Sequence, residues 1–209
     1  IGERGFSNPG ILKDGVECTD CHAFTSLTAD TVVFNVSSWS NYSIGEAPLS
    51  PCLSSNISTN ISCSDMNIEY SDNAIFSGHI NFTNVNITAR NITIVTGARV
   101  IFNNVWMKVN NLVVNNSGYA EFKNGGNTVW HNDNWDISGT VVSNHETHRM
   151  NVSSDDEFGI RIFSGGNLTI FNSTNITNGL SSSSEYYFNV SGNISIVNSS
   201  ISEMTANGI

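Results

Sequence analysis

Residues 18–22 read Cys18-Thr19-Asp20-Cys21-His22, two thiols three positions apart with an imidazole directly after the second. That order suits covalent attachment of a porphyrin. Two thiols can add across its two vinyl groups, and the adjacent His22 then sits under the iron as an axial ligand. The expected cofactor is therefore one covalent haem c, held by Cys18, Cys21 and His22. The rest of the chain offers His79, His131, His145 and His148 as further imidazoles, and Met66 and Met150 as thioethers. His145 or His148 is the favoured distal ligand, because both fall in an apparent insertion. Three other chemistries use the same atoms. Cys18 and Cys21 can join Cys52 and Cys63 in two disulfides, with three possible connectivities. They can bind zinc with His22, or they can form a redox pair. Cys52 and Cys63 read as a structural disulfide in an oxidising compartment.

The segment around Cys18–His22 resembles a haem site of c-type cytochromes over about a dozen residues, with one copy of the motif. That resemblance implies electron transfer and a redox partner. His145-Glu146-Thr147-His148 is one residue short of the zinc-protease pattern, which needs histidines at i and i+4 on a helix face. It lies in strand-rich sequence and is set aside. The acidic run Asp155-Asp156-Glu157 reads as a solvated turn, with a divalent-cation site as its alternative.

Positioning these residues falls to short strands. From Asn67 onward, apolar and polar residues alternate over four or five positions, as in Asn91-Ile92-Thr93-Ile94-Val95 and Asn193-Ile194-Ser195-Ile196-Val197. Such alternation gives strands with one buried face. Strand-initial asparagines recur at 67, 91, 111, 134, 167 and 193, spacings of 24, 20, 23, 33 and 26 residues. Three short strands per such unit fit one coil of a solenoid. The longest unit carries an insertion near residues 144–159. The pattern resembles the right-handed parallel β-helix of Asn-rich archaeal and bacterial surface proteins over residues 67–209. The expected fold is all-β, with a loop-rich N-terminal cap (residues 1–65) and a parallel β-helix (66–209) truncated at its C-terminus. A β-sandwich is the alternative.

Composition narrows the function. Charged residues make up 12%, and 18 acidic residues face 8 basic ones. Nucleic-acid binding needs a basic face and is excluded on this balance. Fifteen asparagines begin N-x-S/T sequons: Asn35, Asn41, Asn56, Asn60, Asn81, Asn86, Asn91, Asn115, Asn151, Asn167, Asn172, Asn175, Asn189, Asn193 and Asn198. N-linked glycans on most of them would supply solubility, and they imply a secreted chain at the cell surface. No stretch of 18 apolar residues marks a membrane span. Both ends read as trimmed, and an anchor is compatible with sequence beyond residue 209.

Three functions follow. The first is an extracellular glycosylated filament or surface protein carrying one haem for electron transfer, self-associating head to tail. The second is a purely structural surface or adhesion protein with its cysteines in disulfides. The third is a polysaccharide-active enzyme, for which Asp133, Asp136 and Arg161 are the nearest carboxylate and basic candidates. On the first two readings the protein is not an enzyme.

Overall fold

Apolar residues at every second position demand a partner for one face of each strand, and here each coil finds it in the coil's own interior. In the computed structural model, described at residue 6 and over 8–18, 20–47, 50–151, 158–179 and 185–204, the chain divides into two units, 1–50 and 51–209.

The first unit is built from antiparallel pairs. Pro9–Lys13 pairs with Val16–Glu17 and with Tyr42–Glu46, and His22–Ala23 pairs with Phe34–Asn35. The tight turn between the first two strands is Asp14-Gly15, with φ of 53° and 82°. Asp-Gly is the pair that tolerates left-handed backbone at both turn positions. Ser40 Oγ–H donates to Asp14 and Ser37 Oγ–H to Asp20. These bonds, joined on Asp14 by the Asn41 backbone N–H and aided less by the charge of Lys13, hold both carboxyls below their ordinary range against the opposing effect of desolvation.

The second unit is a parallel β-helix, a fifteen-stranded sheet coiled on itself. Its longest strands, Ile61–Phe76, His79–Ile94 and Arg99–Val114, each run round one full coil. They pair in parallel, rung over rung. Later coils break into three short strands, one per face. Tyr119–Lys123, Thr140–Asn144, Asn167–Phe171 and Asn193–Val197 extend the first face. Thr128–His131, Thr147–Met150, Asn175–Asn178 and Ser200–Ile201 extend the second. Trp135–Ile137, Gly159–Ile162 and Tyr187–Val190 extend the third.

Inward side chains stack into ladders because each rung repeats the one below in register. Phe82, Phe102 and Phe122 lie nearly parallel, with ring centroids 5.6 and 4.7 Å apart. Each such pair adds about 1 kcal/mol beyond the burial itself. The corner between first and second faces is turned by a residue at positive φ in coil after coil: Asp65, Asn84, Asn104, Asn124 and His145. Asparagine tolerates this conformation better than other residues bearing a Cβ. Its amide is then free to bond along the stack. Asn104 Nδ2 donates to Asn84 Oδ1 (2.8 Å), and Asn84 Nδ2 donates to Asp65 Oδ1 (2.9 Å).

The strand-initial asparagines do not mark one face. Asn67 pairs with Asn86 on the second face, Asn91 with Asn111 on the third, and Asn167 with Asn193 on the first. The spacings of 24 and 33 therefore join positions on different faces.

Candidate functional site

The Cys18–His22 motif lies in the first unit, just after the Val16–Glu17 strand. Cys18 and Cys21 form a disulfide, with Cα atoms 5.5 Å apart. Asp20 Oδ1 stands 3.1 Å from Cys18 Sγ. His22 is exposed on its short strand, its ring edge-on to Phe24 at 5.5 Å. The expected covalent haem c is overturned by this bond. Each sulfur is already bonded to the other, so neither Cys18 nor Cys21 is available to form a thioether. This removes the cofactor on which the electron-transfer expectation rests. Among the described residues, Cys18, Asp20 and Cys21 are the cluster with metal-ligating atoms close together. The disulfide takes its two sulfurs out of zinc chemistry as well.

The second disulfide, Cys52–Cys63, is the expected structural one. Both cysteines are buried in the solenoid, where the Tyr70 hydroxyl donates to the Cys52 carbonyl (2.8 Å).

The two candidate distal ligands part company. His145 sits exposed at the corner, in left-handed backbone. Together with Asn124, Gly125 and Asn144 it lines an open polar cleft of about 300 Å³. His148 points into the solenoid and is fully buried. It belongs to a chain that the alternation in two strands builds. In Thr128–His131, Val129 and His131 turn inward; in Thr147–Met150, His148 and Met150 do. On the first face, Ser143 stands one rung beyond Phe122. A smaller side chain there opens room for an imidazole. Ser143 Oγ lies 2.9 Å from His148 Nε2, and His148 Nδ1 lies 3.4 Å from His131 Nε2. Trp135 stacks on both rings at 4.7 and 4.6 Å, and Phe122 meets His148 edge-on at 4.9 Å.

A serine beside two imidazoles has the composition of a nucleophile and its base. The surroundings deny it that chemistry, since Ser143, His131 and His148 have no accessible surface through which a substrate can approach. Burial, reinforced by His148, drives His131 well below its ordinary pKa, and burial pushes His148 down to about 3. Both rings are neutral at pH 7. His131 Nδ1 and Trp135 Nε1 lack a hydrogen-bond partner among the described residues. The cluster is a neutral polar seam in the core.

A second buried polar group braces the corner. The Glu146 carboxylate accepts from the backbone N–H of Gly125 (3.0 Å) and Asn127 (2.7 Å). Asn127 Nδ2 donates to the Phe102 and Lys123 carbonyls. Desolvation raises the Glu146 carboxyl, opposed by those hydrogen bonds. His145-Glu146-Thr147-His148 is thus a corner and the strand after it, with its central carboxylate spent on backbone.

Of the residues considered for polysaccharide chemistry, Asp136 and Arg161 are spent on each other. Arg161 Nε and Nη2 donate to the two carboxylate oxygens at 2.6 and 2.7 Å across adjacent rungs. Asp133 stands half-exposed before the Trp135–Ile137 strand. The run Asp155-Asp156-Glu157 lies outside the described residues.

The fifteen sequon asparagines are all exposed or half-exposed. The buried asparagines, Asn127, Asn134 and Asn178, all lie outside sequons. Several sequon amides donate along the stack: Asn86 to Asn67 (2.7 Å), Asn91 to Asn73 (2.6 Å), Asn172 to Asn144 (2.9 Å) and Asn193 to Asn167 (2.9 Å).

Compared with family models, with curated proteins and with solved structures, the chain finds no match, so its fold and site rest on its own residues.

Proposed function

We propose that the chain is a structural part of an extracellular surface or adhesion protein, its β-helix unit a rod, N-glycosylated and held by disulfides rather than by a cofactor. The observation that carries this reading is the sorting of asparagines, with every sequon Asn facing outward and the buried ones outside sequons. A sugar attached to Nδ2 needs solvent above it. On a strand, N-x-T sets the Asn and the hydroxyl on the outer face and x in the core.

The interior supports the same reading. Glu146 is spent on corner amides, and Ser143 and His148 on each other. Two disulfides in a chain of this length fit an oxidising compartment. Among the described residues no helix is long and apolar enough to cross a membrane. Glycopeptide mass spectrometry on protein from its native source tests the proposal. Hexose-bearing peptides at a majority of the fifteen sequons are expected. Bare asparagines throughout would overturn it.

A further inference from the structure

We infer that the second face of the β-helix is a binding platform for an anionic polysaccharide, centred on Trp106, Trp130, Lys108 and Arg149. This goes beyond a structural rod by giving it a ligand.

The placement follows from register. Trp106 pairs with Thr128, and Lys108 with Trp130, on adjacent rungs. Trp130 in turn pairs with Arg149 on the next. The two indoles are therefore diagonal neighbours on a flat sheet, about 7–8 Å apart at the backbone. All four side chains take outward positions of the alternation. Trp106 is 41% exposed, unusual for the largest apolar side chain on a sheet face. The Arg149 guanidinium lies 5.1 Å from the Trp130 ring centroid and holds that ring in place. Gly179 flanks the same ring, where a Cβ would fall 3.0 Å from Trp130 Cζ3.

Charge supplies the second argument. The chain carries ten more acidic than basic residues. Yet on this face no carboxylate projects from the four successive rungs 85–89, 105–109, 128–131 and 147–150, and two of the eight basic residues do. Neutral donors and acceptors, Asn86, Thr88, Thr128 and Thr147, fill the positions around them. The other two faces differ in that their arginines are paired, Arg99 with Glu121 and Arg161 with Asp136, while Lys123 stands on the first face with no aromatic ring beside it among the described residues.

Flat indoles stack on the C–H faces of pyranose rings. Cations beside them select rings bearing carboxylate or sulfate, and hydroxyl and amide groups meet the sugar hydroxyls. Single-stranded nucleic acid also stacks on aromatics, but it needs a groove tracking a phosphate at every nucleotide. Two cations on an open face in an acidic protein favour the sugar polymer.

The test is affinity electrophoresis of the full chain in gels containing polygalacturonate, dextran sulfate, neutral dextran or oligo(dT), backed by indole fluorescence titration. Retardation by one or both acidic polysaccharides is expected, and it identifies which acidic group is recognised. Trp106→Ala and Lys108→Gln are each expected to weaken it about tenfold, with the unfolding midpoint unchanged because both residues are exposed. Retardation that survives the double variant, or that is equal in neutral dextran, overturns the proposal. So does tighter binding of oligo(dT). A third variant, Asn86→Gln, removes the sequon beside Trp106. If its only effect is a fluorescence shift and no acidic polymer binds with or without it, the protein's own glycan is the occupant and the proposal falls. Glycopeptide mapping is read separately, so loss of the platform leaves the reading of a glycosylated rod standing.

Discussion

The two units solve the problem of staying folded by different means. In the first, the described residues that are buried are Gly10, Ile11 and Ala47. Its order rests on hairpin hydrogen bonds, side-chain bonds to Asp14 and Asp20, and a disulfide closing a four-residue ring at the surface. In the second, the inward side chain of nearly every rung is fully buried, and its disulfide lies inside that core. The comparison teaches where a cysteine pair matters. A short exposed ring restricts a few residues, whereas Cys52–Cys63 ties the first coil to a continuous apolar column.

The largest effect that breaks this comparison is removal of a rung from the aromatic ladder. Phe102→Ala deletes contacts with both Phe82 and Phe122. It is expected to cost about 3–5 kcal/mol of solenoid stability, measured by urea unfolding followed by far-ultraviolet circular dichroism. Ile11→Ala, the matching truncation in the first unit, should leave the solenoid transition where it was.

Acid is the next lever, and between about pH 7.5 and 4 it acts chiefly on the buried histidines of the second unit, because the lowered Asp14 and Asp20 carboxyls of the first unit titrate only below that window. His148 is pushed down to about 3 in the folded chain, against an ordinary 6.5, and burial lowers His131 well below its ordinary value as well. The unfolded chain therefore takes up protons that the folded one refuses. Stability is full above about pH 6.5 and is lost as pH falls from there toward 3, by several kcal/mol. Urea midpoints measured from pH 7.5 to 4 should fall steeply. The double variant His131→Leu/His148→Met, which makes the seam apolar, should flatten that slope.

Opening Cys52–Cys63 by Cys→Ser at both positions frees a loop of about a dozen residues and should cost about 3 kcal/mol. The same change at Cys18 and Cys21 should cost less than about 2 kcal/mol, since a shorter ring removes less entropy from the unfolded chain. Differential scanning calorimetry separates the two if each unit melts on its own.

The smallest effect belongs to the corner ladder. Asn104→Ala loses its bond to Asn84 and keeps an unfavourable positive φ of 53°, for about 1–2 kcal/mol. Asn104→Gly loses the bond alone and should recover part of that cost. Equal losses in both variants would mean that the backbone conformation contributes nothing.

Much of this architecture was legible in the alternation. Ile92 and Ile94 inward with Asn91 and Thr93 outward is a period of two, and only a strand with one wet face uses it. The phase between coils was not legible. Outward asparagines serve corners and all three faces, so a distance from one Asn to the next does not say which face it crosses. The haem motif failed for a different reason. Cys-x-x-Cys brings two thiols within reach of each other as readily as within reach of a porphyrin, and residue order is silent on which bond forms. His148 carried a readable signal, since it stands two positions before Met150 and shares its inward phase. Its place near an apparent insertion drew it outward instead. Ser143 lay hidden because a ladder position occupied by phenylalanine in three earlier coils gives no warning that the next rung holds a hydroxyl.

The central claim is a glycosylated, disulfide-held rod in place of a haem protein. Intact-mass spectrometry of the native protein, before and after reduction and alkylation, tests it most directly. The account predicts a mass above that of the bare polypeptide by glycan increments, with no thiol of Cys18, Cys21, Cys52 and Cys63 alkylated until a reductant is added and all four alkylated afterwards. A chain of bare polypeptide mass whose Cys18 and Cys21 alkylate without reduction, or one that keeps a covalent adduct on those cysteines after reduction, would contradict it.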